Sequence, residues 1–185
     1  SRRTAGIGLN EYFQQLLVQN PIPVQEFLLR SSLLEEFDAG LCQDAIGLPL
    51  DIYDVEWENL MALALRYNLF VLPVGEDGTW LRYHHLFRDF LQNRMRVERP
   101  DESRRIETEL ALYYESIQEW ERAIAIYFRI GTPEQQIEMI RRAAPSMILT
   151  GRLVTLSDWL NALPAALGES RPELKSIRGS IAMLR

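Results

Sequence analysis

The chain has 185 residues, of which 47% are apolar and 25% charged, with a formal net charge of −6. That is an ordinary soluble globular balance, long enough for one domain or two small ones, and its acidity argues against a nucleic-acid-binding domain by charge alone. No apolar run approaches the roughly 20 residues that span a bilayer, the opening Ser1-Arg2-Arg3-Thr4-Ala5-Gly6 is too polar for a signal peptide, and a lone cysteine, Cys42, excludes an internal disulfide and makes the cytoplasm the expected setting.

Helices dominate the pattern. Asn10 is expected to cap a helix from Glu11 to about Gln19, with Tyr12, Phe13, Leu16 and Leu17 on one face. Asn20-Pro21-Ile22-Pro23 breaks it, and Pro23 suits the first turn of a second helix, Val24 to about Ser31, facing the core through Val24, Phe27, Leu28 and Ser31. A connector follows, and Asp38 is placed to cap a short third helix ending near Gly47. Leu48 to Asp54 reads as loop, and Val55 to Tyr67 as a fourth helix carrying Leu60, Leu63 and Ala64 at helical spacing.

The period then changes from helix to strand. Leu69-Phe70-Val71-Leu72-Pro73-Val74 and Thr79-Trp80-Leu81-Arg82-Tyr83 flank Glu76-Asp77-Gly78, in which Asp-Gly favours the positive φ of a tight hairpin. Pro73, lacking an amide hydrogen, implies an edge position or a bulge. A helix from His84 to about Val97 follows, with Leu86, Phe87, Phe90 and Leu91 as its apolar stripe. Helices, a two-stranded hairpin and a closing helix are the order of a winged-helix variant.

The charged, proline-broken Val97-Glu98-Arg99-Pro100-Asp101 is read as a domain boundary, giving residues 1–98 as the winged helix and 99–185 as a helical arm. Helices are expected at about Glu102–Gln118, Glu119–Ile130, Pro133–Thr150 with a kink at Pro145, Arg152–Leu163 and Pro172–Arg185. The small and aromatic residues of Ala111–Tyr114 and Trp120–Tyr127 resemble one tetratricopeptide-type repeat, a unit that needs stacked neighbours. The fold class is mainly α: a winged helix with a small β-hairpin, then a tetratricopeptide-like arm. The last expected helix runs to Arg185 with no terminator, the mark of a piece of something longer.

A search for catalytic chemistry finds no phosphate-binding P-loop motif, no metal-ligand spacing and no nucleophile elbow. Cys42 falls in an apolar helix and reads as a buried, inert thiol. What stands out is Tyr83-His84-His85-Leu86-Phe87, which holds both histidines of the chain where hairpin passes into helix. Histidine titrates near neutrality and either donates to an anion or accepts. On spacing alone, capping and packing compete with an anion contact. Arg82, Arg88, Arg94 and Arg96 give the same region a basic patch, read first as solvated surface, then as a docking face, and last as a DNA contact.

Several words in this chain resemble the MalT-like regulators, large bacterial transcription factors of the STAND class of signal-transducing ATPases. They are Phe27-Leu28-Leu29-Arg30-Ser31-Ser32-Leu33-Leu34-Glu35-Glu36-Phe37, Asn68-Leu69-Phe70, Tyr83-His84-His85-Leu86-Phe87-Arg88-Asp89, Trp120-Glu121-Arg122-Ala123-Ile124, and Gly151-Arg152-Leu153 followed by Trp159-Leu160-Asn161-Ala162-Leu163-Pro164. They run in order over nearly the whole chain. The resemblance implies a layout in which a nucleotide-binding domain precedes the winged helix and a helical arm, tetratricopeptide-like sensor repeats and a LuxR-type DNA-binding domain follow it.

It also implies a role for the first histidine. In STAND proteins the winged helix folds onto the nucleotide domain at rest, and a histidine opening its last helix meets the β-phosphate of ADP. Related members carry Met-His-Asp-Leu there, so Tyr83-His84-His85-Leu86 places His84 at the phosphate-sensing position and His85 where an acidic residue often stands. Arg82, His85 and Arg88 are the interaction candidates, with capping or packing preferred for His85. The expected function is a non-catalytic module that clamps the nucleotide domain in the ADP state and relays inducer binding. ADP and ATP are cofactors only of the whole protein, whose DNA contact lies in a separate domain, and no membrane is involved. The alternative is a DNA-binding winged helix with a helical dimerisation tail.

Overall fold

The computed structural model describes residues 2–46, 56–164 and 171–184. The chain divides into two compact units, residues 1–109 and 110–185, and is mainly α: a winged helix followed by a helical arm.

In the first unit, α1 (Arg2–Gln19) and α2 (Ile22–Ser31) precede a short helical turn α3 (Ala39–Leu41) that widens into a π-helical turn over Cys42–Ile46. Helix α4 (Trp57–Arg66), strands β1 (Val71–Val74) and β2 (Trp80–Tyr83), and α5 (His85–Glu98) complete it, together with the start of α6 (Pro100–Ser116). Phe13, Phe27, Phe37 and Phe87 are fully buried and form the aromatic centre of the core. Phe13 lies 5.1 Å from Phe87 between ring centroids and Phe27 lies 5.9 Å from Phe37, so α1, α2, the connector and α5 share one interior.

Local chemistry explains most of the element ends. Asp38 caps α3 as expected, its carboxylate accepting from the Leu41 amide at 2.7 Å. Helix α4 ends on Asn68 at φ 54°, with the Asn68 amide donating to the Leu65 carbonyl and that of Leu69 to Ala64. This is the Schellman terminator, for which Asn is the usual substitute for Gly. Helix α1, by contrast, starts at Arg2, so Asn10 lies inside it and caps nothing. Gly6 and Gly8 lower helix propensity without stopping it. The face read for α1 is narrower than expected: Phe13 and Leu17 are buried, while Tyr12 is 51% exposed. The loop expected at 48–54 lies outside the described residues.

The hairpin is antiparallel, with Val71 opposite Tyr83 and Val74 opposite Trp80. Five residues therefore separate the strands, and the turn is wider than Asp-Gly alone would make. Positive φ falls on Gly75 (82°) and Gly78 (64°), not on Asp77, whose carboxylate accepts from the Thr79 amide at 3.3 Å. On its far side β2 bonds to the connector: the Phe37 amide donates to the Leu81 carbonyl at 2.9 Å and the Leu81 amide to the Phe37 carbonyl at 2.8 Å. Leu81 thus spends both main-chain groups away from β1, so Pro73 opposite it loses nothing by lacking an amide hydrogen. The expected edge position is the one observed.

A four-charge network ties α2 to the α5–α6 junction. Arg99 grips Glu26 with two bonds of 2.7 Å, while Arg30, only 8% exposed, pairs with Glu102 at 2.6 Å. Its members sum to zero charge, which suits a site this short of water.

The second unit holds the end of α6, then α7 (Trp120–Ile130), α8 (Pro133–Leu149), α9 (Leu153–Ala162) and α10 (Pro172–Met183). These bounds follow the expected helices within a few residues. Thr132 and Gln135 form a capping box at the start of α8, and α6 and α8 end on Gln118 (φ 60°) and Gly151 (φ 72°). Alanines 123, 143 and 144 are buried where helices approach. Gly131 is obligatory for another reason: a Cβ there would lie 2.7 Å from the Tyr127 carbonyl.

Two stability effects follow. Hydrogen bonds from Arg99 hold the Glu26 carboxyl below its usual range, against the upward push of burial. A lowered folded pKa stabilises fully above the unfolded value, about 4.3, and that contribution is lost as pH falls through the folded one. Glu26→Gln is expected to cost about 2 kcal/mol at pH 7 in urea unfolding, and the gap from the parent chain should narrow as pH falls below the unfolded carboxyl value. Gly78→Val forces a branched side chain into the left-handed region and is expected to cost about 1–2 kcal/mol, read as a lower unfolding midpoint.

Candidate functional site

The junction from β2 into α5 is built from the preceding residue upward. Tyr83 is buried and its hydroxyl lies 2.6 Å from Ser31 Oγ. Ser31 gives its own proton to the Phe27 carbonyl at 2.6 Å, so the tyrosine is the donor of the shared bond. Burial pushes the Tyr83 phenol well above its ordinary range and keeps that proton in place. The end of β2 is thereby pinned to α2.

His84 comes next as the N-cap of α5, not its first helical residue, with φ −58° and ψ 132°. Its amide donates to the Phe70 carbonyl at 2.7 Å, and its carbonyl accepts from the amides of Phe87 and Arg88 at 3.0 Å each. The imidazole does not cap the helix. Its Nδ1 is buried and makes no hydrogen bond, and the same holds for Nε of Arg88, one turn along α5. His84 and Arg88 thus place two buried, unsatisfied polar nitrogens at the N-terminal end of α5, at its N-cap and four residues on. Around them the first amides of α5 have no intrahelical acceptor and carry the positive end of the helix dipole.

His85 opens α5 and is exposed, its ring 4.5 Å from that of His84 at 31°. It packs against its neighbour. Arg82 is separate: it sits on the outward face of β2 and its side chain makes no ion pair or hydrogen bond among the described residues. The wider basic patch is mostly spent within the fold, since Arg94 pairs with Glu98 at 3.0 Å and Arg96 with Glu107 at 3.4 Å. The expected stripe of α5 also needs one correction. Phe87 and Leu91 are fully buried, but Leu86 is 44% exposed because N2 of the helix turns off the core face.

Cys42 is fully buried and desolvation pushes its thiol far above the ordinary range, so it stays protonated. Among the described residues no group of three His, Cys, Asp or Glu side chains is placed to hold a metal ion, and no helix is long and apolar enough to cross a membrane.

Residues 13–103, which include the whole passage from β2 into α5, match the family model of the MalT winged helix domain. The chain carries a MalT winged helix domain. The HTH-type transcriptional regulator MalT of Vibrio parahaemolyticus is 26% identical over 164 residues, 85% of this chain and 17% of that protein. The MalT regulator of Klebsiella pneumoniae (strain 342) is 30% identical over 105 residues, 53% of this chain and 11% of that protein. Serine/threonine-protein kinase PknK of Mycobacterium tuberculosis is 20% identical over 173 residues, 91% of this chain and 15% of that protein. The chain thus spans 11–17% of the length of these relatives. The likeness read from the ordered words of the sequence is to this MalT-like group.

Ser31 and Phe70 contribute to the MalT winged helix junction without having been singled out as site residues. For Ser31 the signal was a hydroxyl on the core face of α2. For Phe70 the sequence offered none.

The Tyr83–Ser31 bond generates a prediction. Ser31→Ala strands a buried phenol proton and is expected to cost about 1–3 kcal/mol, whereas Tyr83→Phe removes the donor and is expected to cost only about 1 kcal/mol. The double variant should be no less stable than Ser31→Ala, by chemical unfolding.

Proposed function

We propose that this chain is the regulatory winged helix and arm of a nucleotide-switched transcription regulator of STAND type. At rest it clamps a nucleotide-binding domain lying earlier in the same protein. His84 contacts the terminal phosphate of ADP across that interface, with Arg88 beside it. Exchange for ATP releases the clamp, and the arm passes inducer binding on from downstream sensor repeats of tetratricopeptide type. Arg82 and His85 belong to the docking face, and DNA is read by a separate domain.

The observation that carries this reading is the pair of buried, unpartnered nitrogens, His84 Nδ1 and Arg88 Nε, at the N-terminal end of α5. A helix start with free amides is suited to a phosphate, and a nearby imidazole or guanidinium adds a charge-assisted bond. Bound ADP would supply the anion that satisfies them. The rest is two-state arithmetic: a clamp that opens on exchange needs arrangements differing by only a few kcal/mol.

Two observations weigh against direct DNA reading by the winged helix. Arg94 and Arg96 are paired with carboxylates, and the chain carries a net charge of −6. The relatives also bear two kinds of output in their names, a transcriptional regulator and a protein kinase. A module shared by both suits regulation better than recognition of an operator. Tight binding of duplex DNA by this chain, falling steeply with salt, would favour the DNA-reading alternative.

In the whole regulator, His84→Ala is expected to weaken ADP retention roughly tenfold, the loss of one charge-assisted hydrogen bond, and to raise basal transcription. Nucleotide release kinetics and a promoter reporter measure both. Unchanged retention together with unchanged basal output would overturn the reading.

A further inference from the structure

Among the described residues, three non-glycine residues have a left-handed backbone: Asn68 (φ 54°), Phe70 (55°) and Gln118 (60°). Asn68 and Gln118 each follow a helix, where the left-handed residue frees two amides to satisfy the last carbonyls. Phe70 ends no helix. It stands one residue before β1, and a bulky aromatic there is a genuine outlier costing about 1 kcal/mol or more. Such a conformation persists only where its surroundings over-determine it.

The surroundings of Phe70 reach in two directions. Its carbonyl accepts the His84 amide at 2.7 Å. Its ring meets Phe13 edge-on at 5.3 Å and Tyr12 edge-on at 6.2 Å, both on α1. Against α5 it lies 5.5 Å from Phe87, and its centroid is 6.4 Å from the His84 imidazole. Rotation of Phe70 out of the left-handed region would turn its carbonyl away from His84. The amide of the N-cap residue would then lose its acceptor.

We propose that Phe70 is a positioning residue for His84, held in its left-handed conformation by Tyr12 and Phe13, so that α1 controls how the histidine is presented. A shift of α1 relieves the ring contacts, lets Phe70 relax and frees the His84 backbone. This deepens the phosphate-contact reading of His84 and rests on it for its regulatory meaning. It gives the resting clamp an input from α1 as well as from nucleotide.

The test is amide hydrogen exchange in this chain, comparing His84 with Leu81. Both amides belong to the same strand-to-helix passage, but that of Leu81 bonds to Phe37 on the other side of β2. Tyr12→Ala removes a ring that is 51% exposed, so no buried cavity opens. The expected result is roughly tenfold faster exchange at His84 with Leu81 unchanged, a local opening rather than a global one. Tyr12→Phe keeps the ring and should leave His84 at the parent rate. Phe70→Gly, which tolerates positive φ but has no ring, should accelerate His84 as Tyr12→Ala does.

Equal acceleration at both amides would show general loosening and overturn the proposal, as would an unchanged His84 rate in Tyr12→Ala. No nucleotide enters this measurement. A failure of His84→Ala to alter ADP retention would therefore strike the phosphate reading and not the positioning one.

Discussion

Strand β2 is the constraint on which the rest of the winged helix depends, because it is held on both edges and at its end. Val71 to Val74 pair along one edge, Phe37 bonds both main-chain groups of Leu81 on the other, and Tyr83 reaches Ser31 on α2. Each bond is worth only about 1 kcal/mol net, yet together they leave the strand no free direction. The chain leaves that fixed strand at His84, so the histidine inherits a defined position before any side-chain contact of its own. The site is specified by backbone first and by imidazole second.

Charge is arranged with the same economy. An acidic chain keeps its arginines close to carboxylates: Arg99 with Glu26, Arg30 with Glu102, Arg96 with Glu107. Arg88 has no such carboxylate among the described residues, and its Nε, like His84 Nδ1, is buried without a hydrogen-bond acceptor. Two unsatisfied nitrogens one helical turn apart are costly in a free fold.

Much of this architecture was legible in the chain. Helices from α2 to α10 announced themselves by period, by Asp38 as a cap and by prolines at their starts, because those signals act within one turn. The hairpin was legible from Pro73 and Gly78 at its edge and turn. Its width was not, since the second positive φ fell on Gly75, outside the Asp77-Gly78 pair. Asn10 misled as a cap because side-chain capping competes with continuing helix, and only the chain before it decides. His84 was legible through its neighbours in the sequence, whereas the Phe37–Leu81 bridge, the Glu26–Arg99 clasp and the left-handed Phe70 join residues far apart and leave no local trace.

Pro73 has one more consequence. Its register opposite Leu81 turns its nitrogen outward from the hairpin, at the place where an open strand would offer a hydrogen to a passing chain. Only Val71 of the four residues in β1 keeps an outward donor. A two-stranded sheet is otherwise an invitation to strand addition, and an exposed rim of that kind would recruit copies of itself. The ring of Pro73 removes one of the two outward donors such pairing would use, so the wing makes a poor template for it.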